Sequence, residues 1–322
     1  MTARPRVVVT RRLPDAVEAA LATRFDVVLN PSDVPFSPSA LGDAIATADA
    51  VVPTVTDRLD AAVFARATGR CRVIANFGVG LNHIDLTAAT AAGIRVTNTP
   101  DVLTDDTADL AILLMLAVLR GAGAGERRLR AGAWTGWGPV RELGRRLTGR
   151  TLGVVGYGRI GQAVARRARL GFGMRVLAWG RTRPAPEPVS GVEWVETLEA
   201  LLPQVDVLSL HTPGGAATRH LLDAARLARL RPDAILVNTA RGDVVDEAAL
   251  VAALEAGRLA GAGLDVYERE PAVHPGLLGR DDVVLLPHLG SATIESRTAM
   301  GMRVVENLNA ALADITPQDL VR

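Results

Sequence analysis

Short apolar, β-branched runs recur along this chain, each followed by a turn and then by a stretch in which Ala and Leu return at helical spacing. In the first hundred residues the runs at 6–9, 26–29, 50–54, 72–77 and 94–99 are predicted to be buried strands, with helices at 14–23 and 57–67. A second series occupies 151–156, 175–179, 205–210, 234–239, 262–266 and 283–286. Strands and helices alternating in this way predict parallel α/β sheets. A length of 322 residues suits two such domains better than one. Between the two series, 104–120 reads as an apolar helix that could bridge the domains. Its start is marked by Thr104, Asp105 and Asp106, whose short polar and acidic side chains suit exposed amides. The Gly121 to Gly125 run then leads into a connecting segment carrying Trp134 and Trp137, expected either as a contact surface or as ordinary packing under a long loop. A last helical stretch, 291–312, is long enough to cross back to the first domain.

Composition narrows the chemistry. Hydrophobic residues make up 48% and charged residues 22%, ordinary for a globular chain and far from a disordered one. Thirty-six basic groups offset thirty-five acidic ones, so no global field draws the protein to nucleic acid or an anionic membrane. Every basic residue is Arg. Without Lys there is no Schiff-base chemistry, no pyridoxal-phosphate anchor and no P-loop. Cys71 is the single cysteine, so neither an internal disulfide nor a multi-thiolate metal site can form, and a buried apolar thiol is expected. His83, which borders a Gly-rich turn, reads as a pocket or a loop residue, and His211, His220 and His274 have no spacing that assembles a metal site. The Val7-Val8-Val9 run follows the start without a signal-peptide core, and the longest apolar run, Leu110 to Leu119, is too short to span a bilayer. A cytoplasmic location is expected.

Gly156-Tyr157-Gly158-Arg159-Ile160-Gly161 is a G-x-G-x-x-G string lying between a predicted strand and an amphipathic helix, the context a dinucleotide fingerprint requires. The first glycine permits the tight turn, the second lets backbone approach a pyrophosphate, and the third allows close helix–strand packing. The helix N-terminus offers amides and positive dipole to the phosphates, and Arg159 could add a contact or lie on the surface. An acid that binds the ribose hydroxyls usually follows the next strand. Here that place holds Trp179-Gly180-Arg181-Thr182-Arg183, without a carboxylate. Guanidinium groups and a hydroxyl there favour NADP(H), whose 2'-phosphate they attract, with NAD(H) still possible; the alternative is a solvated basic turn.

Three polar residues follow later strands of the second series. Arg241 comes after 234–239, Glu270 shortly after 262–266, and His288 after 283–286. Ligands in open α/β sheets bind beyond the carboxyl ends of strands, so the three can face one crevice with a nicotinamide. Reducing a 2-oxo acid requires a cation for the carboxylate, a hydride source and a proton donor for the developing alkoxide. Arg241 offers the cation and His288 the proton, while Glu270 beside the ring would favour imidazolium and fix its orientation. Each alone has a structural alternative: a surface pair, a charged loop, a strand cap.

Together with Asn238 to Gly242, Gly263 to Glu268, Glu270-Pro271, Pro287 to Thr293, Asn76 to Gly80 and Asn98 to Thr104, these strings resemble the D-isomer-specific 2-hydroxyacid dehydrogenase family over nearly the whole chain. The resemblance implies a flavodoxin-like substrate domain, 1–103 plus 292–322, and a Rossmann cofactor domain, 104–291, inserted into it. It implies Arg241 as the substrate-binding cation and Glu270 with His288 as the acid–base pair. Thr239 and Asp265 become cofactor contacts, Asp265 at the nicotinamide carboxamide. Val79 and Gly80 present backbone amides to the substrate carboxylate. Within the family, the Gly-Arg-Thr-Arg turn, Trp137-Gly138-Pro139 and Gly-Ser-Ala-Thr are similar to glyoxylate and hydroxypyruvate reductases. That likeness puts Trp137 in a neighbouring subunit's pocket, in a homodimer. Formate oxidation is disfavoured by Glu270, where family formate dehydrogenases have Gln, and phosphite oxidation by the missing Lys. Asn82 departs from many relatives, which carry an acid near that place. A dehydrogenase for another 2-hydroxy acid, or a nicotinamide-sensing corepressor-like interaction protein, stays open at this point.

Overall fold

The computed structural model describes residues 4–321. The chain splits into two compact units, Met1–Leu103 with Ala292–Arg322, and Thr104–Ser291. The first contains strands β1 (Arg6–Val9), β2 (Asp26–Val28), β3 (Ala50–Val52), β4 (Val73–Ala75) and β5 (Arg95–Thr97), paired in the order β2-β1-β3-β4-β5. All pairs are parallel, giving the flavodoxin-like order. Alternation of side chains builds two cores on the two faces. Val7, Val9, Val52 and Val73 meet Val17, Leu21, Val304 and Leu308 on one face. Val8, Val51 and Ile74 meet Leu41, Ile45, Val63 and Phe64 on the other. Burying one such Val or Leu stabilises the fold by roughly 1.5–3 kcal/mol.

Several elements differ from the sequence reading. The helix expected over 57–67 shrinks to Ala61–Phe64, because the buried Asp57 carboxylate is committed to a turn, accepting from Thr10 Oγ1 at 2.6 Å and from the Thr54 amide at 2.7 Å. The final helix starts at Ile294, where the Thr293 hydroxyl accepts the Ser296 amide and caps it. Helices Pro38–Thr47 and Leu86–Ala91, capped by Ser37 and Asp85, are additional. The first follows a Pro-rich stretch and the second is a short Ala/Thr run, so neither stands out by pattern.

The second unit holds β6 (Thr151–Val155), β7 (Arg175–Trp179), β8 (Glu193–Trp194), β9 (Val207–Leu210), β10 (Ile235–Asn238), β11 (Gly261–Leu264) and β12 (Val283–Leu285). Their order, β12-β11-β10-β9-β6-β7-β8, is a parallel Rossmann sheet extended by one strand. The direction of winding reverses between β6 and β9, where ligands of such sheets bind. The edge strand β8 is too short to read from pattern. The glycine run, expected as a connector, instead opens helix Ala122–Arg130, with Gly121 left-handed at φ 59° to turn the chain after Thr104–Leu119. Trp134 and Trp137 are 54% and 84% exposed, so the loop-packing alternative for them does not hold. Cys71 is buried, which pushes its thiol up to about 12 and keeps it unreactive. Among the described residues no single helix is long and apolar enough to cross a membrane.

Candidate active site

The glycine string turns the chain from β6 into helix Arg159–Phe172. Gly156 has φ 93°, and a Cβ there would meet the His211 carbonyl and the Thr212 amide at 2.7 Å, so only glycine fits. A Cβ on Gly161 would lie 2.2 Å from the Gly156 carbonyl oxygen, which is the close helix–strand approach the motif needs. Gly158 differs: nothing lies within 4 Å of its Cβ position, and as N-cap it gives the helix no side-chain cap. Open space in front of uncapped amides is what a pyrophosphate would fill. The Tyr157 side chain takes no part in that space. It is buried in the core, and its hydroxyl donates to Glu187 Oε1 at 2.7 Å. Glu187 is the one acid in the stretch 180–190; Tyr157 engages its Oε1, while Oε2 is buried without a hydrogen-bond partner. All three turn residues are exposed, and among the described residues Arg181 and Arg183 form no ion pair.

Two residues beyond β9 were not singled out by the sequence as binding residues. Thr212 Oγ1 and His211 Nδ1 are buried without a hydrogen-bond partner, as is Thr239 Oγ1 at the end of β10. Orphaned polar atoms at the carboxyl ends of adjacent strands, beside Gly156, fit the donors and acceptors of a dinucleotide. Only Thr239 was anticipated, through the family likeness. The missed signal is a His-Thr-Pro turn on the strand next to the glycine turn, and strand adjacency is invisible in a string. Burial pushes His211 down to about 3, while Nε2 pairs with Ser209 Oγ at 2.8 Å. Because the ordinary imidazole value is about 6.5, the unfolded chain binds an extra proton between these limits. This contribution to stability is complete above about pH 6.5 and falls as pH drops toward 3. His211→Gln, which retains a partner for Ser209, is expected to show a smaller loss of melting temperature between pH 7 and 4.5 than the wild type. Parallel losses would contradict this account.

Arg241, Glu270 and His288 are brought together within the second unit. Asn238 braces the turn after β10, its side-chain amide donating to the Arg241 carbonyl at 2.9 Å while Oδ1 accepts the Ala240 amide at 3.0 Å. The next residue, Gly242, packs so closely that a Cβ would lie 1.8 Å from the Tyr267 carbonyl carbon. This contact seats Arg241 against the 267–270 segment. Tyr267 then ties the neighbouring strand ends: its amide donates to Glu270 Oε1 at 3.0 Å and its hydroxyl to the Leu286 carbonyl at 2.8 Å. His288 Nδ1 lies 2.9 Å from Glu270 Oε2, leaving Nε2 with no hydrogen bond among the described residues. Burial works against charge on Glu270, but the bond and charge of His288, the Tyr267 amide and Arg241 outweigh it and hold the carboxyl below its ordinary range. Arg241 is pushed down by burial, opposed by Glu270 and Asp243, and as a guanidinium it stays charged.

Backbone geometry at His288 is unusual. Its φ of 56° is left-handed, costing a non-glycine residue about 1 kcal/mol. Asp265 holds it there. The Asp265 carbonyl accepts the His288 amide at 2.9 Å, and the two carboxylate oxygens accept the Leu289 and Gly290 amides at 2.6 and 2.8 Å. Burial raises the Asp265 carboxyl, against those amides and His288. Asp265 thus braces the histidine loop, a task the sequence did not reveal. Val79 and Gly80 belong to the first unit, and Trp137 stands exposed in the second.

The model of the D-isomer specific 2-hydroxyacid dehydrogenase NAD binding domain matches residues 112–290. A glyoxylate reductase of Thermococcus onnurineus is 43% identical over 99% of this chain and 96% of its own length. Among solved structures, a Thermus thermophilus protein superposes with TM-score 0.90 at 46% identity, covering 98% of this chain and all (100%) of its own. An NADPH-dependent glyoxylate/hydroxypyruvate reductase of Sinorhizobium meliloti, in complex with NADP and malonate, gives TM-score 0.89 at 37% identity over 99% and 97% of the two chains. A dinucleotide turn, a strand-end Arg, a Glu–His pair and full-length similarity converge: the chain belongs to the D-isomer-specific 2-hydroxyacid dehydrogenase family and is an NAD(P)-dependent oxidoreductase.

Proposed function

We propose that the protein is an NADP(H)-preferring reductase of small 2-oxo acids, glyoxylate and hydroxypyruvate foremost, that yields D-2-hydroxy acids with His288 as proton donor. The observation that carries the reading is the His288–Glu270 pair at 2.9 Å, with Arg241 beside the carboxylate. When bound, the nicotinamide supplies the hydride. Arg241 holds the substrate carboxylate through its fork of donors. His288 gives the Nε2 proton to the carbonyl oxygen as the alkoxide develops, and Glu270 stabilises the imidazolium before that transfer and keeps Nδ1 occupied. In the oxidative direction the neutral ring takes the proton back. The relatives named glyoxylate reductase, and the NADPH-dependent glyoxylate/hydroxypyruvate reductase with the same fold, support the substrate class. A homodimer belongs to the reading, supported by the exposed Trp134 and Trp137 side chains.

The cofactor preference rests on Arg181 and Arg183, exposed and without an ion pair among the described residues, in a turn that carries no carboxylate. Steady-state kinetics with NADPH and NADH against glyoxylate, hydroxypyruvate and larger 2-oxo acids test the whole. NADPH is expected to give the higher kcat/KM. Arg181→Ala and Arg183→Ala should each raise KM for NADPH by roughly 10-fold or more, the loss of a charge-assisted bond to phosphate, and leave KM for NADH nearly unchanged. Activity with NADH alone would overturn the preference, and no turnover of any short 2-oxo acid would overturn the reaction.

A further inference from the structure

The 267–270 turn, which carries Glu270, is tied to two other segments of the second unit, 215–222 and 241–247. Glu247 opens helix Glu247–Glu255 and is buried, at 7% exposure. Its Oε1 accepts the Glu268 amide at 2.7 Å. The Glu268 carboxylate engages the other segment: Oε1 accepts from Arg219 at 2.9 Å and lies 2.8 Å from His220 Nε2. Those two segments are bonded to each other as well. The Gly215 amide donates to the Asp243 side chain at 2.9 Å, the His220 amide to the Asp243 carbonyl at 2.7 Å, and the Leu222 amide to the Val244 carbonyl at 3.0 Å. Each segment thus holds both of the others, and Arg241 and Glu270 lie on two of the three.

Two features of this junction work against folding and are nevertheless present. His220 has φ 48°, the left-handed conformation also found at His288. Glu247 is a carboxylate withdrawn from water, and burial pushes it up, against the Glu268 amide. Glu268 is held below its ordinary range, because the bonds and charges of His220 and Arg219 outweigh its burial. Strained backbone collects where the surrounding structure must hold one geometry. The geometry at stake here is that of Glu270. The Tyr267 amide, next in the chain to the Glu268 amide, donates to Glu270 Oε1 at 3.0 Å. The His288 loop is braced separately, by Asp265. A shift of the turn at Glu268 therefore moves the Glu270 carboxylate against an imidazole that stays in place.

We infer that Glu247 and Glu268 are positioning residues for the acid–base pair: with Arg219 and His220 they fix the 267–270 turn, so that Glu270 stays on His288 with Arg241 at its side. The assignment rests on the reading of His288 as the proton donor of a 2-oxo acid reductase, and names what holds its partner.

The test is steady-state kinetics of Glu268→Ala and Glu268→Gln across pH, with glyoxylate and NADPH each varied at saturation of the other. Glu268→Ala removes the acceptor of Arg219 and His220 and leaves the Glu268 amide on Glu247. Its kcat is expected to fall about tenfold or more, since a displacement of about 1 Å caused away from the chemistry costs up to about 10²-fold. KM for NADPH should not move. In the reductive direction His288 must carry a proton, and a looser Glu270 favours the imidazolium less. The high-pH limb of kcat/KM for glyoxylate should therefore move to lower pH. Glu268→Gln keeps an oxygen for both donors and should recover most of kcat and of the limb. Glu247→Ala and Glu247→Gln repeat the comparison at the buried end; if Glu247→Ala does not fold, the Glu268 variants carry the test. Wild-type kcat with an unmoved limb in Glu268→Ala, a loss that Glu268→Gln does not recover, or an equal loss in KM for NADPH overturns the inference and leaves the reductase reading standing. No reduction of any short oxo acid by the wild type sinks the reading and the inference together, so the two failures are distinguishable.

Discussion

His288→Ala is expected to lower kcat for oxo-acid reduction by about 10²–10⁴-fold, the usual contribution of a positioned general acid, while KM for NADPH stays within a few-fold of the wild type. The ring spends Nδ1 on Glu270 and leaves Nε2 without a hydrogen bond among the described residues, the atom the proposed proton transfer would use. Nothing in the glycine turn depends on it. A glycine variant separates chemistry from backbone strain. His288 sits at φ 56°, so His288→Gly removes a left-handed penalty that His288→Ala retains. The glycine protein should be the more stable of the two by about 1 kcal/mol in denaturant melts, yet equally inactive. Unchanged turnover in either variant would take His288 out of the mechanism.

Arg241→Ala should reduce kcat/KM for the oxo acid by about 10²–10³-fold, most of it in KM, because a permanent charge and a two-pronged contact to the carboxylate vanish together. Arg241→Lys restores the charge without the fork. It is expected to recover only part of the loss, which would show that geometry counts beside Coulomb attraction. Both substitutions leave Gly242 pressed against the Tyr267 backbone, so the turn itself should survive. Binding of NADPH, followed by fluorescence, is the control expected not to change. A wild-type KM in Arg241→Ala would assign the carboxylate to another group.

The sites behave differently because their supports differ. Glu270 is held ionised below its ordinary range despite burial, chiefly through His288. The pair therefore enters the neutral range already charged on the carboxylate side. Asp265 spends both oxygens on loop amides, and the strain at His288 is sustained by those bonds. Such an arrangement fixes the imidazole by bonds within the second unit, the preorganisation that the proposed proton transfer would need.

Much of this was legible in one dimension. The glycine string could be read because its meaning is local: a strand, a turn and a helix within a few consecutive residues dictate which positions tolerate a Cβ. Strand runs were legible because parallel strands buried on both faces are continuously apolar, and Arg241, Glu270 and His288 because each follows such a run closely. The helices at Pro38–Thr47 and Leu86–Ala91 and the edge strand Glu193–Trp194 were not, since their short or Ala-rich sequences lack the contrast that periodicity needs. The side chains that aim the chemistry could not be read at all. Gly242 against Tyr267, Asp265 under the His288 loop, His211 beside Gly156 and Glu247 at the Glu268 amide are meetings of residues distant in sequence, created when strands align and their carboxyl ends are brought side by side. The sequence by itself determined which reactive groups exist and which strands carry them. Only the tertiary structure decided which atom of each is free to react, because hydrogen bonds across strand ends consume the others.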